Sequence, residues 1–348
     1  MNVPRLILHV GHPKTGTSAL QSSFALSVEA LAAQGIHYSP AGSLDLARDG
    51  KITSGNVNPL RLVETYNRAV RTAAGAEAVL LSNEACFIAF EKDPAPLRRL
   101  TEQGVPVEIV LFLRDPLDWA GSSYMQSIKR HGGKRSFSEF LPNARFLERV
   151  EHFLEICDAL SLPVSTANYS RCEGGLVPRM EALLSLPPGT LAAPAGGRIN
   201  RSMTLSEAYL LRRINADLGR PAARAVSTAL CERLPDIAPE RPDLTREAFD
   251  AFADRSRPIA DRLNARLAAE DHLVLPDYDD VFAGIEAVEQ VGLTFSAAQV
   301  RAITEALGEV MASPQDHPDR STPGIGSQRS GNRAFWNRLS RALPLRRR

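Results

Sequence analysis

Residues 8–24 read Leu-His-Val-Gly-His-Pro-Lys-Thr-Gly-Thr-Ser-Ala-Leu-Gln-Ser-Ser-Phe: an apolar run, a turn rich in Gly, Lys and Thr, then a helical stretch. A strand that passes through a glycine loop into a helix builds an anion cradle. Backbone N–H groups of the loop and the positive end of the helix dipole converge on one point. Nucleotide hydrolases place lysine directly after the second glycine, in G-x-x-x-x-G-K-[ST]. Here Gly11 and Gly16 supply the glycine frame, but Thr17 follows the second glycine and the lysine stands earlier, at Lys14. A lysine there, with hydroxyls at Thr15, Thr17 and Ser18, suits a cradled phosphate without the Lys-Ser pair that holds Mg²⁺.

Working outward, Val107–Leu113 is apolar and β-branched and predicts a buried parallel strand. Asp115 then reads as an N-cap and Pro116 as a first helical residue. Arg114 therefore stands at the carboxyl end of a strand, where open α/β sheets bind ligands. Ser122 follows about two helical turns later, on one face with Gln126 and Lys129.

The first loop resembles the 5′-phosphosulfate loop (P-K-[ST]-G-T-[TS]) of the sulfotransferases that use 3′-phosphoadenosine 5′-phosphosulfate (PAPS). In that family an Arg at a strand end and a Ser eight positions later grip the 3′-phosphate, and Arg114 and Ser122 match that spacing. Arg-Asp-Pro-Leu-Asp, the Gln126 helix and the basic Gly-Gly segment after it resemble the bacterial carbohydrate-type branch. The resemblance has motif support over about residues 5–170 and continues loosely to about residue 310. It implies a P-loop-like three-layer α/β fold, with a central parallel sheet flanked by helices and a helical C-terminal part. It also implies transfer of a sulfuryl group from PAPS to a hydroxyl acceptor, a carbohydrate or glycoconjugate, with no metal required. Lys14 would stand at the bridging oxygen, and Thr15, Gly16, Thr17 and Ser18 would bind the 5′-phosphate. Tyr169 matches a family position near the adenine, and Arg198 or Arg201 would return a cation to the 3′-phosphate. The family often stacks a large residue just after the loop on the adenine; Ala19 occupies that position here.

The general base for the acceptor is open between Glu84, just past a strand end in Leu81-Ser-Asn-Glu84, and His12, inside the loop. The plainer reading makes Asn83 an N-cap and Glu84 a first-turn carboxylate favoured by the helix dipole. Likewise Lys129-Arg130-His131-Gly-Gly-Lys134-Arg135 binds an acidic ligand or is a solvated helix end. Two other function classes remain: a P-loop phosphotransferase working with ATP, and a non-catalytic nucleotide-binding scaffold.

Composition sets limits. Lys and Arg total 41 against 40 Asp and Glu in 348 residues, a formal charge of +1 that speaks against bulk nucleic-acid binding. Cys86, Cys157, Cys172 and Cys231 are scattered, as for reduced thiols in a cytoplasmic protein. The opening apolar run is too short for a signal peptide or membrane span. Strands are expected at Arg5–Val10, Ala78–Ser82, Val107–Leu113 and Val164–Tyr169. Helices are expected at Thr17–Gln34, Arg61–Ala74, Pro96–Gln103 and Phe146–Leu160, with a long loop over Tyr38–Pro59. Beyond Arg198 the pattern is helical, with Thr204-Leu-Ser-Glu207 reading as a capping box. One catalytic domain is expected over 1–312, and a disordered basic tail over 313–348. In that tail Phe335, Trp336, Leu339 and Leu343 form an amphipathic stretch suited to peripheral membrane contact.

Overall fold

The computed structural model describes residues 3–39, 55–73, 75–172, 174–194, 201–282 and 292–312. The chain separates into two compact units: residues 1–123, 143–197 and 249–281, and residues 124–142, 198–248 and 282–348.

In the first unit the apolar runs become strands β1 (Arg5–Val10), β2 (Ile36–His37), β3 (Ala78–Asn83), β4 (Val107–Leu113) and β5 (Val164–Asn168). They form a five-stranded sheet, wholly parallel, in the order β2-β3-β1-β4-β5. Both faces are covered, which is why the strands carry near-continuous hydrophobic runs. Leu6, Leu8, Val10, Val79, Leu81, Ile109, Leu111 and Leu113 belong to one core layer. It is completed by α3 (Leu62–Thr72), α4 (Ala85–Lys92), α5 (Ala95–Glu102) and α7 (Phe146–Ala159). The alternate residues Ile7, Leu80, Val110 and Phe112 face the other layer, built on α1 (Thr17–Leu26), α2 (Val28–Ala33) and α8 (Leu176–Leu183). The result is the expected α/β arrangement of three layers. Helix α6 (Pro116–Arg130) follows β4.

Three local expectations change. The single helix over Thr17–Gln34 is two, broken at Ser27 (φ −112°, ψ 22°), whose Oγ accepts from Ala192 N–H at 2.7 Å. The two-residue β2 was missed, being too short for alternation to register. Within Tyr38–Pro59, residues 40–54 lie outside the described residues, but the segment after them is tied to β3. Asn56 N–H donates to Ser82 O (3.0 Å), Asn56 Oδ1 accepts from Ser82 N–H (2.8 Å), and Asn56 Nδ2 donates to Leu80 O (3.1 Å).

The second unit is helical, with α9 (Leu205–Asp217), α10 (Arg220–Arg233) and α11 (Ala297–Ala312). The Thr204–Glu207 capping box is present in both directions. Asn215 Nδ2 fastens α9 to the end of α6 through the carbonyls of Ile128 (2.9 Å) and Gly133 (3.0 Å). The expected tail, 313–348, and Arg198 lie outside the described residues. Among the described residues no helix is long and apolar enough to cross a membrane.

Candidate functional site

A parallel sheet sends all its strand ends to one edge, and the adjacent strands β3, β1 and β4 deliver Glu84, the Gly11–Gly16 loop and Arg114 there. This is the edge at which open α/β sheets take ligands. Two glycines make the loop possible. A Cβ on Gly11 would lie 2.8 Å from Glu84 Cα and 2.5 Å from Thr17 Oγ1. Gly16 has φ +76°, and a Cβ there would meet Leu176 and Tyr169 at 2.4 and 2.9 Å.

Lys14 also sits in the left-handed region, at φ 74°, a conformation costing about 1–2 kcal/mol for a residue with a side chain. The loop around it is held at three successive carbonyls. Thr15 Oγ1 donates to His12 O (2.7 Å). His12 Nδ1 (3.0 Å) and Trp119 Nε1 (3.1 Å) both donate to Pro13 O, and Arg114 Nη1 donates to Lys14 O (2.9 Å). With these carbonyls engaged, no described residue accepts from the N–H of Thr15, Gly16, Thr17 or Ser18. They are left as donors at the N-terminus of α1, where the dipole favours an anion.

Arg114 is half-buried, with its guanidinium carbon 5.2 Å from the centre of the Tyr169 ring. Its Nε is buried and has no partner. Burial works against its charge, and Asp118, Tyr169 and Asp115 work for it. Asp115 places its carbonyl as expected of an N-cap, accepting from Trp119 N–H (2.9 Å). Its carboxylate turns instead to Asn168 Nδ2 (2.7 Å) and Val274 N–H (3.0 Å). Ser170 Oγ accepts from Asp115 N–H (3.2 Å) and donates to Asp118 (3.1 Å). The β4–α6 and β5 connections are thereby tied together beside the loop, with Tyr169 against Gly16. Ser122 is half-buried on α6.

Glu84 opens α4, and Asn83 supports that start by accepting from Ala85 N–H (2.8 Å), as the capping alternative expects. Solvent reaches Glu84, yet the protein packed around its carboxyl raises its pKa, with Lys14 pulling it back down. It is thus a carboxylate made more basic and electrostatically coupled to the loop lysine. His12 does not reach out of the loop. It is 1% exposed, boxed by Phe87 and Phe146 (ring centres 4.6 Å away) and Trp119 (5.7 Å), and burial lowers its pKa to about 3. A neutral imidazole that donates to Pro13 O is a brace, and His12 is not the proton acceptor that its place in the loop suggests. His9, buried below, bonds Ser82 Oγ (2.9 Å) and is likewise neutral.

Arg201 is corrected in the same way. Its Nε donates to Leu234 O (2.6 Å), Nη1 to Ser202 O (2.9 Å) and Glu207 (2.7 Å), and Nη2 to Glu207 (2.6 Å) and Leu230 O (3.3 Å). All five N–H groups are taken, leaving none for a phosphate. Lys129 is also internal, donating to Arg201 O (3.2 Å). The residue that sequence reasoning missed is Trp119. Its apolar body packs on Phe146 (4.9 Å, interplanar 18°), and nothing local announces that its N–H meets a carbonyl 106 residues away.

The site suits two separate anionic groups, one at the loop and one at Arg114. Thr17 Oγ1 and Arg114 Nε, both buried and unpartnered, support that fit. Among the described residues, no three His, Cys, Asp or Glu side chains converge as metal ligands.

No family's sequence model matches this chain, and comparison with curated proteins gives no match. Among solved structures the chain is similar to a sulfotransferase from Alicyclobacillus acidocaldarius (15% identity, TM-score 0.38, covering 79% of this chain and 98% of that one). It is also similar to the sulfotransferase domain from the curacin biosynthetic pathway (11% identity, TM-score 0.32, covering 74% and 99%). Overlaps this loose establish no kinship, and the chemistry of the site rests on its own residues.

Proposed function

We propose that this protein transfers a sulfuryl group from PAPS to a hydroxyl of a saccharide-type acceptor. One observation carries the reading: a carbonyl-out loop bearing Lys14 lies directly beside Arg114, whose Nε is buried and unpartnered, so one sheet edge offers two anion grips. PAPS presents a 5′-phosphosulfate and a 3′-phosphate, and needs two. Thr15, Gly16, Thr17 and Ser18 bind the 5′-phosphate through backbone N–H groups, joined by the hydroxyls of Thr17 and Ser18. Arg114 takes the 3′-phosphate with Ser122, and Tyr169 lines the nucleoside side of the loop.

Sulfuryl transfer makes the demands of phosphoryl transfer: an in-line acceptor, a stabilised leaving oxygen and fixed donors. The acceptor oxygen bonds to sulfur as the bridging S–O bond breaks. The hydroxyl proton passes to Glu84, and the electron pair stays on the departing 5′-phosphate oxygen, whose charge Lys14 stabilises. A carboxylate whose pKa is raised by its surroundings is a better base than an ordinary one.

Calorimetric titration with adenosine 3′,5′-bisphosphate, with ATP–Mg²⁺ as the control, tests the donor. Tight bisphosphate binding that weakens in Lys14→Ala supports the reading, and binding of ATP–Mg²⁺ alone overturns it. With an acceptor in hand, Glu84→Gln lowers kcat by about 10²–10⁴-fold and leaves bisphosphate affinity unchanged. Unaltered turnover removes Glu84 as the base.

A further inference from the structure

A trans peptide points its C=O and the following N–H in opposite directions. A side chain that holds the carbonyl of one residue therefore also aims the N–H of the next. Trp119 Nε1 on Pro13 O aims the N–H of Lys14, and Arg114 Nη1 on Lys14 O aims the N–H of Thr15. Release of either carbonyl lets its peptide flip, turning a negative oxygen toward the place where an anion is to sit. The left-handed Lys14, at φ 74°, adds a standing reason to flip. The loop is thus braced from outside as well as by its own His12 Nδ1 and Thr15 Oγ1, and the two outside donors stand at the end of β4 and in the first turn of α6, beside the second anion grip.

We propose that Trp119 is a positioning residue for the phosphate loop. With Arg114 it makes the two anion grips one mechanical unit, so that a change at β4–α6 is felt at the loop. Trp119 meets the loop at Pro13 O and His12, and its ring is stacked on Phe146. Trp119→Phe keeps an aromatic ring for that stack and removes the donor. This inference rests on the loop being the 5′-phosphate site.

The test is calorimetry of the wild-type full chain and Trp119→Phe with three probes: 5′-AMP, 3′-AMP and adenosine 3′,5′-bisphosphate. Loss of one hydrogen bond that shapes the cradle weakens 5′-AMP and the bisphosphate by the same factor, about three- to tenfold. Binding of 3′-AMP stays within about twofold, because the hydrogen bond of Trp119 goes to the loop and not to Arg114. Equal weakening of 3′-AMP makes Trp119 a general support of the domain and overturns the proposal, as does unchanged binding of all three. Should Trp119→Phe not fold, Arg114→Ala reads the same coupling: it weakens 5′-AMP as well as 3′-AMP, and loss confined to 3′-AMP overturns the shared unit. A wild type that binds ATP–Mg²⁺ and not the bisphosphate overturns the donor assignment alone, and the Trp119→Phe ratio measured with ATP then decides the positioning role of Trp119. A wild type that binds none of these ligands overturns both.

Discussion

Arg114 and Arg201 look alike in the sequence, two arginines next to helix starts that both read as candidates for the 3′-phosphate. Their surroundings differ in kind. Arg201 gives two N–H groups to Glu207 and three to backbone carbonyls, and both side chains of the pair are almost fully buried. Arg114 gives one N–H to Lys14 O, lies along the Tyr169 ring and keeps a buried Nε with no partner. Burial opposes the charge of both. Glu207 more than offsets this for Arg201, whereas the carboxylates around Arg114 leave its pKa lowered. A structural arginine is complete without a ligand. A binding arginine is not.

The largest effect that can break this comparison is on stability. Removing one partner of a buried ion pair strands the other charge, a loss of about 3–5 kcal/mol. Arg201→Met is therefore expected to unfold early in urea, and adding Glu207→Leu to recover the part of the loss that comes from the stranded charge. If Arg201→Met leaves the urea midpoint unchanged and weakens bisphosphate binding, the roles of the two arginines are reversed. Next in size is Arg114→Ala. Charge-assisted hydrogen bonds lost to a phosphate lower bisphosphate affinity by roughly 10- to 100-fold, while the single bond to Lys14 O costs no more than about 1 kcal/mol of stability. Calorimetry and urea denaturation on the same preparation separate the two outcomes.

The sheet was legible because burial on both faces forces long apolar strands, and Arg5–Val10 and Val107–Leu113 announce themselves by composition. The loop was legible because its turn needs a left-handed residue at Gly16, a demand of the local backbone, although the groups that crowd Gly11 and Gly16 come partly from Glu84, Tyr169 and Leu176. The break at Ser27 was not, since no glycine or proline marks it. Nor were the parts played by His12, Trp119 and Arg201. Each depends on which groups meet it from distant parts of the chain: an aromatic box for His12, a loop carbonyl for Trp119, a buried carboxylate and three carbonyls for Arg201. Residue type and spacing nominate a charged or polar side chain, and only the count of its satisfied donors tells a brace from a grip.

The same contrast extends to the two carboxylates, with the smallest effect. Glu207 is desolvated, but bonds from Arg201, Gln299 and the Thr204 backbone hold its pKa below the usual range, so its charge belongs to the fold. Glu84 is reached by solvent but partly enclosed by protein around its carboxyl, with only Lys14 pulling the other way, and its pKa is raised. A carboxyl with a raised folded-state pKa favours the folded protein in its neutral form. That contribution is complete below the unfolded pKa and is lost as pH rises through the folded one. Glu84→Gln is neutral throughout and therefore escapes the loss. Its thermal midpoint should match wild type in acid and exceed it by about 1–2 °C above the Glu84 titration, the scale of a change at a solvent-reached site. Measured across pH 4 to 8, an advantage that opens with rising pH marks a carboxylate kept basic at a cost to the fold, as a proton acceptor requires. A midpoint that falls below wild type at high pH would mean that the ionised Glu84 is held by its neighbours, like Glu207, and belongs with the structural charges.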